Sequence, residues 1–197
     1  MSAQVDFDAL YAAEDPWGYR TRWYEARKRA LTLAALDRPR FARACELGCS
    51  IGELAAELAP RCTRLLATDA HPQAVARARR RLQGRDGVEV LEMRHPERLP
   101  DGRFDLVVVS EIGYYLDAGA LDRLAAGLRE RLADDALVLA CHWRPPIDGC
   151  SLDGDQVHAR LDAGLHLSSS FLYVDHDLRL QGWSVRRDSV ARREGLR

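Results

Sequence analysis

Two features of this 197-residue chain carry residue types and spacing that can do chemistry: the stretch Glu46-Leu-Gly-Cys-Ser-Ile-Gly52, and Asp69, seventeen positions beyond Gly52. Glycines at 48 and 52 permit a tight turn and a close backbone approach to a ligand. A carboxylate at the end of the next strand can accept hydrogen bonds from both hydroxyls of a ribose. The pair reads as a nucleotide site, with departures. A dinucleotide loop wants glycine at positions 48, 50 and 53, where this chain has Gly48, Ser50 and Glu53. A pyrophosphate is therefore a poor guest. Glu46 makes it poorer still, since a carboxylate repels phosphate and attracts an ammonium. A nucleoside joined to an amino acid, without phosphates, fits: S-adenosylmethionine. Its amino-acid part would pass the backbone of Gly48, Cys49, Ser50 and Gly52. Glu46 would stay near the amino group, and Asp69, with Ala70 beside it, would hold the ribose.

Such residues need strand–turn–helix units to position them, and the chain supplies these in series. "ARACELG" reads as a short buried strand, "ELAAELAPRC" as a helix closed by Pro60, and "RLLATD" as a second strand. "HPQAVARARRRL" is a helix with Pro72 near its first turn, where the missing N–H is harmless. "GVEVLEM" and the almost wholly apolar "FDLVVVSE" are strands three and four; the latter should be covered on both faces. "ALDRLAAGLRERL" is a helix and "DALVLACHW" a fifth strand. This alternation predicts parallel strands with crossover helices. After Arg144 a loop and a short helix from about Gly154 precede two alternating stretches, read as an antiparallel pair at the sheet edge. The expected fold is α/β, doubly wound and Rossmann-like, a mostly parallel seven-stranded sheet with an antiparallel edge strand. We expect a single domain over 1–197: a helical segment over 1–40, a cofactor-binding core over 41–143, and an acceptor-side insertion with edge strands over 144–197. In such sheets ligands sit outside the C-terminal strand ends, where strand order reverses. The loop at 46–52 is placed there.

Bulk properties exclude several classes. A hydrophobic fraction of 47% and a charged fraction of 30% are those of an ordinary globular chain. The net charge of −1 provides no global field for nucleic acid or an anionic membrane. The locally basic "ARARRRL" follows a helical pattern and reads as a solvated helix face. Five cysteines, an odd number with no CxxC pair, argue against a zinc site or a disulfide framework, so no metal is expected. The N-terminus lacks the basic and apolar regions of a signal peptide, and no apolar run is long enough to span a bilayer. The reading is a reduced, cytoplasmic protein. Lys28 is the only lysine in an arginine-rich chain.

"ELGCSIGELAAELAPRCTRLLATD" resembles the class I S-adenosylmethionine-dependent methyltransferases, whose pattern is acidic-x-Gly-x-Gly-x-Gly. More closely, the chain is similar to their nodulation protein S branch. That branch pairs a "DPWG…YE..K" segment with "ELGCSIG" and a later "SE..YYL", here Asp15–Gly18, Tyr24-Glu25 with Lys28, 46–52, and Ser110-Glu111 with Tyr114–Leu116. The similarity covers roughly Leu10 to Trp143, and Ser50 is normal in the branch. The resemblance implies that the 1–40 segment is a lid, with Trp17 closing over the cofactor. It implies that Met93 and Arg94 flank the adenine ring. It also places Ser110 and Glu111 opposite the cofactor sulfur. Arg27 or Lys28 is a candidate for the methionine carboxylate. His95 stands where many relatives have an adenine-binding aspartate, so either neighbouring backbone groups read the adenine or the alignment slips by one. His142, after the fifth strand, is either a satisfied core histidine or a proton acceptor at the acceptor side. Tyr114 and Tyr115 are candidates for packing, and His158 and Asp155 are weaker acceptor-side candidates.

The expected activity is methyl transfer from S-adenosylmethionine, with S-adenosylhomocysteine as product. The acceptor would be a small molecule or oligosaccharide, with an amine such as that of an amino sugar foremost. Glu111 and His142 are the expected catalytic pair. "RPPI" after Trp143 lacks the context of a nucleic-acid amino-methylating motif, so neither nucleic acid nor membrane is an expected partner. Two alternatives stand beside this reading: a nicotinamide-dependent oxidoreductase, and a cofactor-binding module without catalysis.

Overall fold

The computed structural model describes residues 5–197, so the first four residues of the 1–40 segment lie outside the described residues. Two helices come first, α1 (Phe7–Leu10) and α2 (Trp23–Ala34). The strands are β1 (Phe41–Leu47), β2 (Cys62–Asp69), β3 (Val88–Glu92), β4 (Phe104–Ser110), β5 (Leu132–Trp143), β6 (Ser168–Val174) and β7 (Leu178–Ser184). Between and after them lie α3 (Glu53–Leu58), α4 (Pro72–Leu82), α5 (Ala118–Arg129), α6 (Gly154–Leu165) and the short α7 (Val190–Arg193).

One seven-stranded sheet runs in the order β3-β2-β1-β4-β5-β7-β6. The first five are parallel; β7 pairs antiparallel with both β5 and β6. This is the doubly wound sheet with an antiparallel edge that the alternation predicts. Strand order reverses between β1 and β4, and the 46–52 loop leaves β1 at that point. The apolar runs explain the layering. In β4, Val107, Val108 and Val109 are fully buried because helices cover both faces. One face packs with Leu58, Val75 and Ala78 of α3 and α4; the other packs with Leu121, Leu124, Val157 and Leu161 of α5 and α6.

Local signals fix the helix starts. Asp117 caps α5 by accepting from the Ala120 amide at 2.7 Å, and Asp153 with Gln156 forms a capping box at α6. Pro72 sits in the first turn of α4. Pro60 does not simply close α3: Ala59–Arg61 tightens into a 3₁₀ turn. Among the described residues no helix is long and apolar enough to cross a membrane.

Candidate functional site

The loop after β1 has the backbone its glycines permit. Gly48 has φ +73° and Gly52 φ +84°, the left-handed region that costs glycine little. A Cβ on Gly48 would run into the Ile112 side chain, and one on Gly52 would press Ala78 Cα of α4 at 3.1 Å. Ser50 adopts φ +48° as well, a conformation costing a non-glycine residue about 1–2 kcal/mol. Two contacts offset that strain. The Ser50 amide donates to Asp69 Oδ2 at 2.8 Å, and Ser50 Oγ lies 2.8 Å from the Tyr11 hydroxyl. Asp69 Oδ1 accepts from the His71 amide at 2.9 Å. Burial raises the Asp69 carboxyl pKa, although these two amides pull the other way.

Glu46 carries a strong electrostatic signal. It is 2% exposed, and its Oε2 has no hydrogen-bond partner. Burial, and secondarily the charge of Asp69, pushes its pKa up to about 8. A buried, unpaired carboxyl is costly unless a partner arrives. It borders a recess of about 40 Å³ shared with Gly48, Cys49, Ser110 and Glu111.

That recess adjoins a cavity of about 1050 Å³, large for a small-molecule pocket of about 300–1,000 Å³. Trp17, Asp69, Ala70, Met93, Arg94 and Glu111 are all on its wall. Trp17 packs edge-on to Tyr11 at 5.5 Å, and Tyr11 stacks on His71. His95 also borders the cavity, but both its ring nitrogens are engaged: Nε2 lies 2.9 Å from Thr68 Oγ1 and Nδ1 2.9 Å from the Arg98 carbonyl. Burial lowers its pKa. β3 ends at Glu92, and the Met93 amide bonds the Asp69 carbonyl at 2.8 Å, which fixes Met93 beside the cavity.

The opposite wall holds a buried charge cluster. Lys28 Nζ lies 2.7 Å from Glu111 Oε1, and 3.1 and 3.0 Å from the two oxygens of Glu25. Burial alone would push the Lys28 ammonium down, but Glu111 and then Glu25 outweigh it and raise its pKa. Glu111 Oε2 accepts from the Tyr114 hydroxyl and from the Trp143 amide at 3.1 Å. Burial raises the Glu25 pKa, against the pull of Lys28. Both Tyr114 and Tyr115 reach the cavity. Arg27 turns away to Tyr173 and Asp175 on the β6 side, so of these two candidates Lys28 is the one that faces the cavity.

His142 is where the expectation of a catalytic imidazole must be corrected. It is fully buried and absent from the cavity wall. It shares the β5 face of Val138 and Ala140, which α5 and α6 cover. Its Nε2 accepts from the Gly113 amide at 3.1 Å, and its Nδ1 lies 3.2 Å from His158 Nε2. Burial lowers its pKa to about 3, with Lys28 contributing. His158 is equally buried, and Asp155 pairs with Arg144 and Arg179 away from the cavity.

Sequence reasoning passed over Tyr11, noted Glu25 only within a family motif, and offered Lys28 for the methionine carboxylate, not for a buried pairing with Glu25 and Glu111. A signal for Lys28 existed: it is the one lysine among arginines, and its compact ammonium lies between two carboxylates.

The model of the nodulation protein S family matches residues 6–141. Curated nodulation protein S from Rhizobium tropici is 35% identical over 117 residues, 59% of this chain and 49% of that protein. That from Sinorhizobium fredii is 34% identical over 115 residues, 58% of this chain and 53% of that protein. The chain thus spans about half the length of these curated relatives. Among solved structures, a Pseudomonas syringae protein provisionally named a methyltransferase is 45% identical. The match covers 83% of this chain and 99% of that one, with a TM-score of 0.75. The N-methyltransferase NodS from Bradyrhizobium japonicum, solved with S-adenosyl-L-homocysteine, is 22% identical and shares the fold. That match covers 90% of this chain and 95% of the other, with a TM-score of 0.82.

Proposed function

Because the chain belongs to the nodulation protein S family, we propose that it is an S-adenosylmethionine-dependent methyltransferase acting on the amine of a small polar acceptor, with an amino sugar as first candidate. The observation that carries this reading is the orphaned, buried Glu46 carboxyl in the recess that adjoins a cavity with Asp69 on its wall. A cation beside the one and vicinal hydroxyls beside the other satisfy both. A pyrophosphate satisfies neither.

In this reading Glu46 holds the cofactor's ammonium, the backbone of Gly48–Gly52 passes its amino-acid part, Asp69 grips the ribose, and Met93 and Arg94 flank the base. Bound there, S-adenosylmethionine supplies a methyl group already activated by its sulfonium. The chain's own task is mainly alignment. Trp17 and Tyr11, from the N-terminal segment, cover the loop and exclude water. On the acceptor side an amine must be neutral to attack, and a nearby carboxylate would help remove its proton. Glu111 has its oxygens occupied by Lys28, Tyr114 and the Trp143 amide, which suits it to serve as a fixed counter-charge. Glu25, on the same wall and paired among the described residues with Lys28 alone, is the better proton acceptor. Five free thiols suit a cytoplasmic setting, and the net charge of −1 argues against nucleic acid as acceptor.

The test is methyl transfer from labelled S-adenosylmethionine to a panel of amino sugars and chitooligosaccharides with a free amine, read by mass spectrometry. A mass gain of one methyl on an amine-bearing acceptor supports the reading. Cofactor binding without transfer to any amine, but with transfer to hydroxyl acceptors, overturns the amine assignment.

A further inference from the structure

The buried histidine pair has a direction. The Gly113 amide can only donate, so His142 Nε2 accepts and its single proton is on Nδ1. His142 Nδ1–H then donates to His158 Nε2, which places the His158 proton on Nδ1. That proton points at Gln181 Oε1, 3.3 Å away. Gln181 fits this polarity, since its Oε1 also accepts from Arg179 at 3.1 Å and its Nε2 faces Asp162 Oδ1 and Ser169 Oγ at 3.4 Å. Every link runs the same way, from the Gly113 amide through two neutral imidazoles to the β7 face. Gly113 is the hinge between Glu111, which has φ +59°, and Tyr114, whose hydroxyl bonds the Glu111 carboxylate. The His142 ring also meets the Tyr114 ring edge-on at 5.5 Å. A Cβ on Gly113 would lie 3.0 Å from His142 Nε2 and strike Val157, so the turn is fitted to this ring.

We propose that His142 is a positioning residue. Through His158 and Gln181 it anchors the Gly113 amide and thereby sets Glu111 and Tyr114 on the acceptor wall. A protonated His142 would turn an N–H against the Gly113 N–H, so the ring cannot serve as a base without releasing the turn. The depressed proton affinities of both imidazoles, about 3 for His142 and about 2 for His158, agree with this. The relevance of the turn to catalysis rests on the acceptor-side reading above. The tautomers and the anchored amide do not.

The test is ¹⁵N NMR of the histidine rings with amide exchange at Gly113, using S-adenosylhomocysteine binding as the control. Expected for the wild type are Nδ1–H tautomers for both rings, no titration between pH 5 and 8, and a slowly exchanging Gly113 amide. His142→Leu removes the acceptor and should speed Gly113 exchange by about tenfold, as expected for losing one hydrogen bond. It should also shift the Tyr114 ring signals and leave S-adenosylhomocysteine affinity within about twofold. His142→Gln, whose Oε1 can stand in for Nε2, should restore the slow exchange. Nε2–H tautomers, a ring titrating near its ordinary value, or unchanged Gly113 exchange and Tyr114 signals in a folded His142→Leu overturn the proposal. The ring measurements on the wild type decide it even where the leucine variant fails to fold. Loss of S-adenosylhomocysteine binding by the wild type itself would instead count against the cofactor reading.

Discussion

Replacing Glu46 with glutamine should make the ligand-free protein more stable in base while weakening its grip on the cofactor. The sign follows from the direction of the shift. Glu46 has a folded pKa of about 8 against an ordinary 4.5, so the folded state holds its proton where the unfolded chain has released it. Stability from this group is fully present below pH 4.5 and is lost as pH rises through 8. At about 1.36 kcal/mol per pH unit, the full span amounts to roughly 5 kcal/mol, and about 70% of it is already lost at neutral pH. Glu46→Gln keeps the shape but cannot ionise, so it escapes that loss. Urea unfolding of both proteins at pH 5 and pH 8.5 should give nearly equal stabilities at the lower pH. At the higher pH the variant should be ahead by roughly 3–5 kcal/mol. Difference curves are needed because the buried, neutral His142 and His158 impose the opposite slope in acid on both proteins. Calorimetry then supplies the second half: wild-type affinity for S-adenosylhomocysteine should climb toward pH 8, and that of Glu46→Gln should be lower and flat. Parallel stability curves for the two proteins, or unchanged cofactor affinity in the variant, would refute the reasoning.

Asp69→Ala should cost about 2–4 kcal/mol of S-adenosylhomocysteine binding, the worth of two charge-assisted hydrogen bonds less compensation by water, and calorimetry reads it directly. Lys28→Met leaves Glu25 and Glu111 facing each other in a buried wall and should destabilise by about 3–5 kcal/mol; adding Glu25→Gln should recover much of that in urea unfolding. Gly48→Ala forces a Cβ into Ile112 at φ +73° and should lower both melting temperature and cofactor affinity, with Ile112→Ala relieving the clash but not the backbone strain.

The fold was legible because strand burial and helix amphipathicity repeat with fixed periods. The apolar β4, the Pro72 start of α4 and the loop at the reversal point all follow from such patterns. The positions of Asp69 and Glu46 beside the glycine turn were legible because the strand–turn–helix pattern puts the ends of β1 and β2 side by side. His142 was misplaced for a specific reason. Period two along β5 puts it on the face of Val138 and Ala140, under α5 and α6, but the position after a parallel strand drew it toward the active edge. The buried pairing of Glu25 and Lys28 with Glu111 was hidden by their helix. An i,i+3 pair of opposite charges reads as a solvated face, and only the tertiary approach of α2 to the end of β4 makes it a buried cluster. Tyr11 escaped notice because its contact with Ser50 joins residues 39 apart in sequence.

The central claim is that this cavity, with the recess beside it, takes a phosphate-free nucleoside bearing an amino acid, held by Glu46 in the recess and by Asp69 on the cavity wall. Isothermal titration calorimetry of the wild-type chain with S-adenosylhomocysteine and with NAD tests it most directly. The account predicts saturable binding of S-adenosylhomocysteine and none of NAD at the same concentrations. Tight NAD binding with no S-adenosylhomocysteine binding would contradict it.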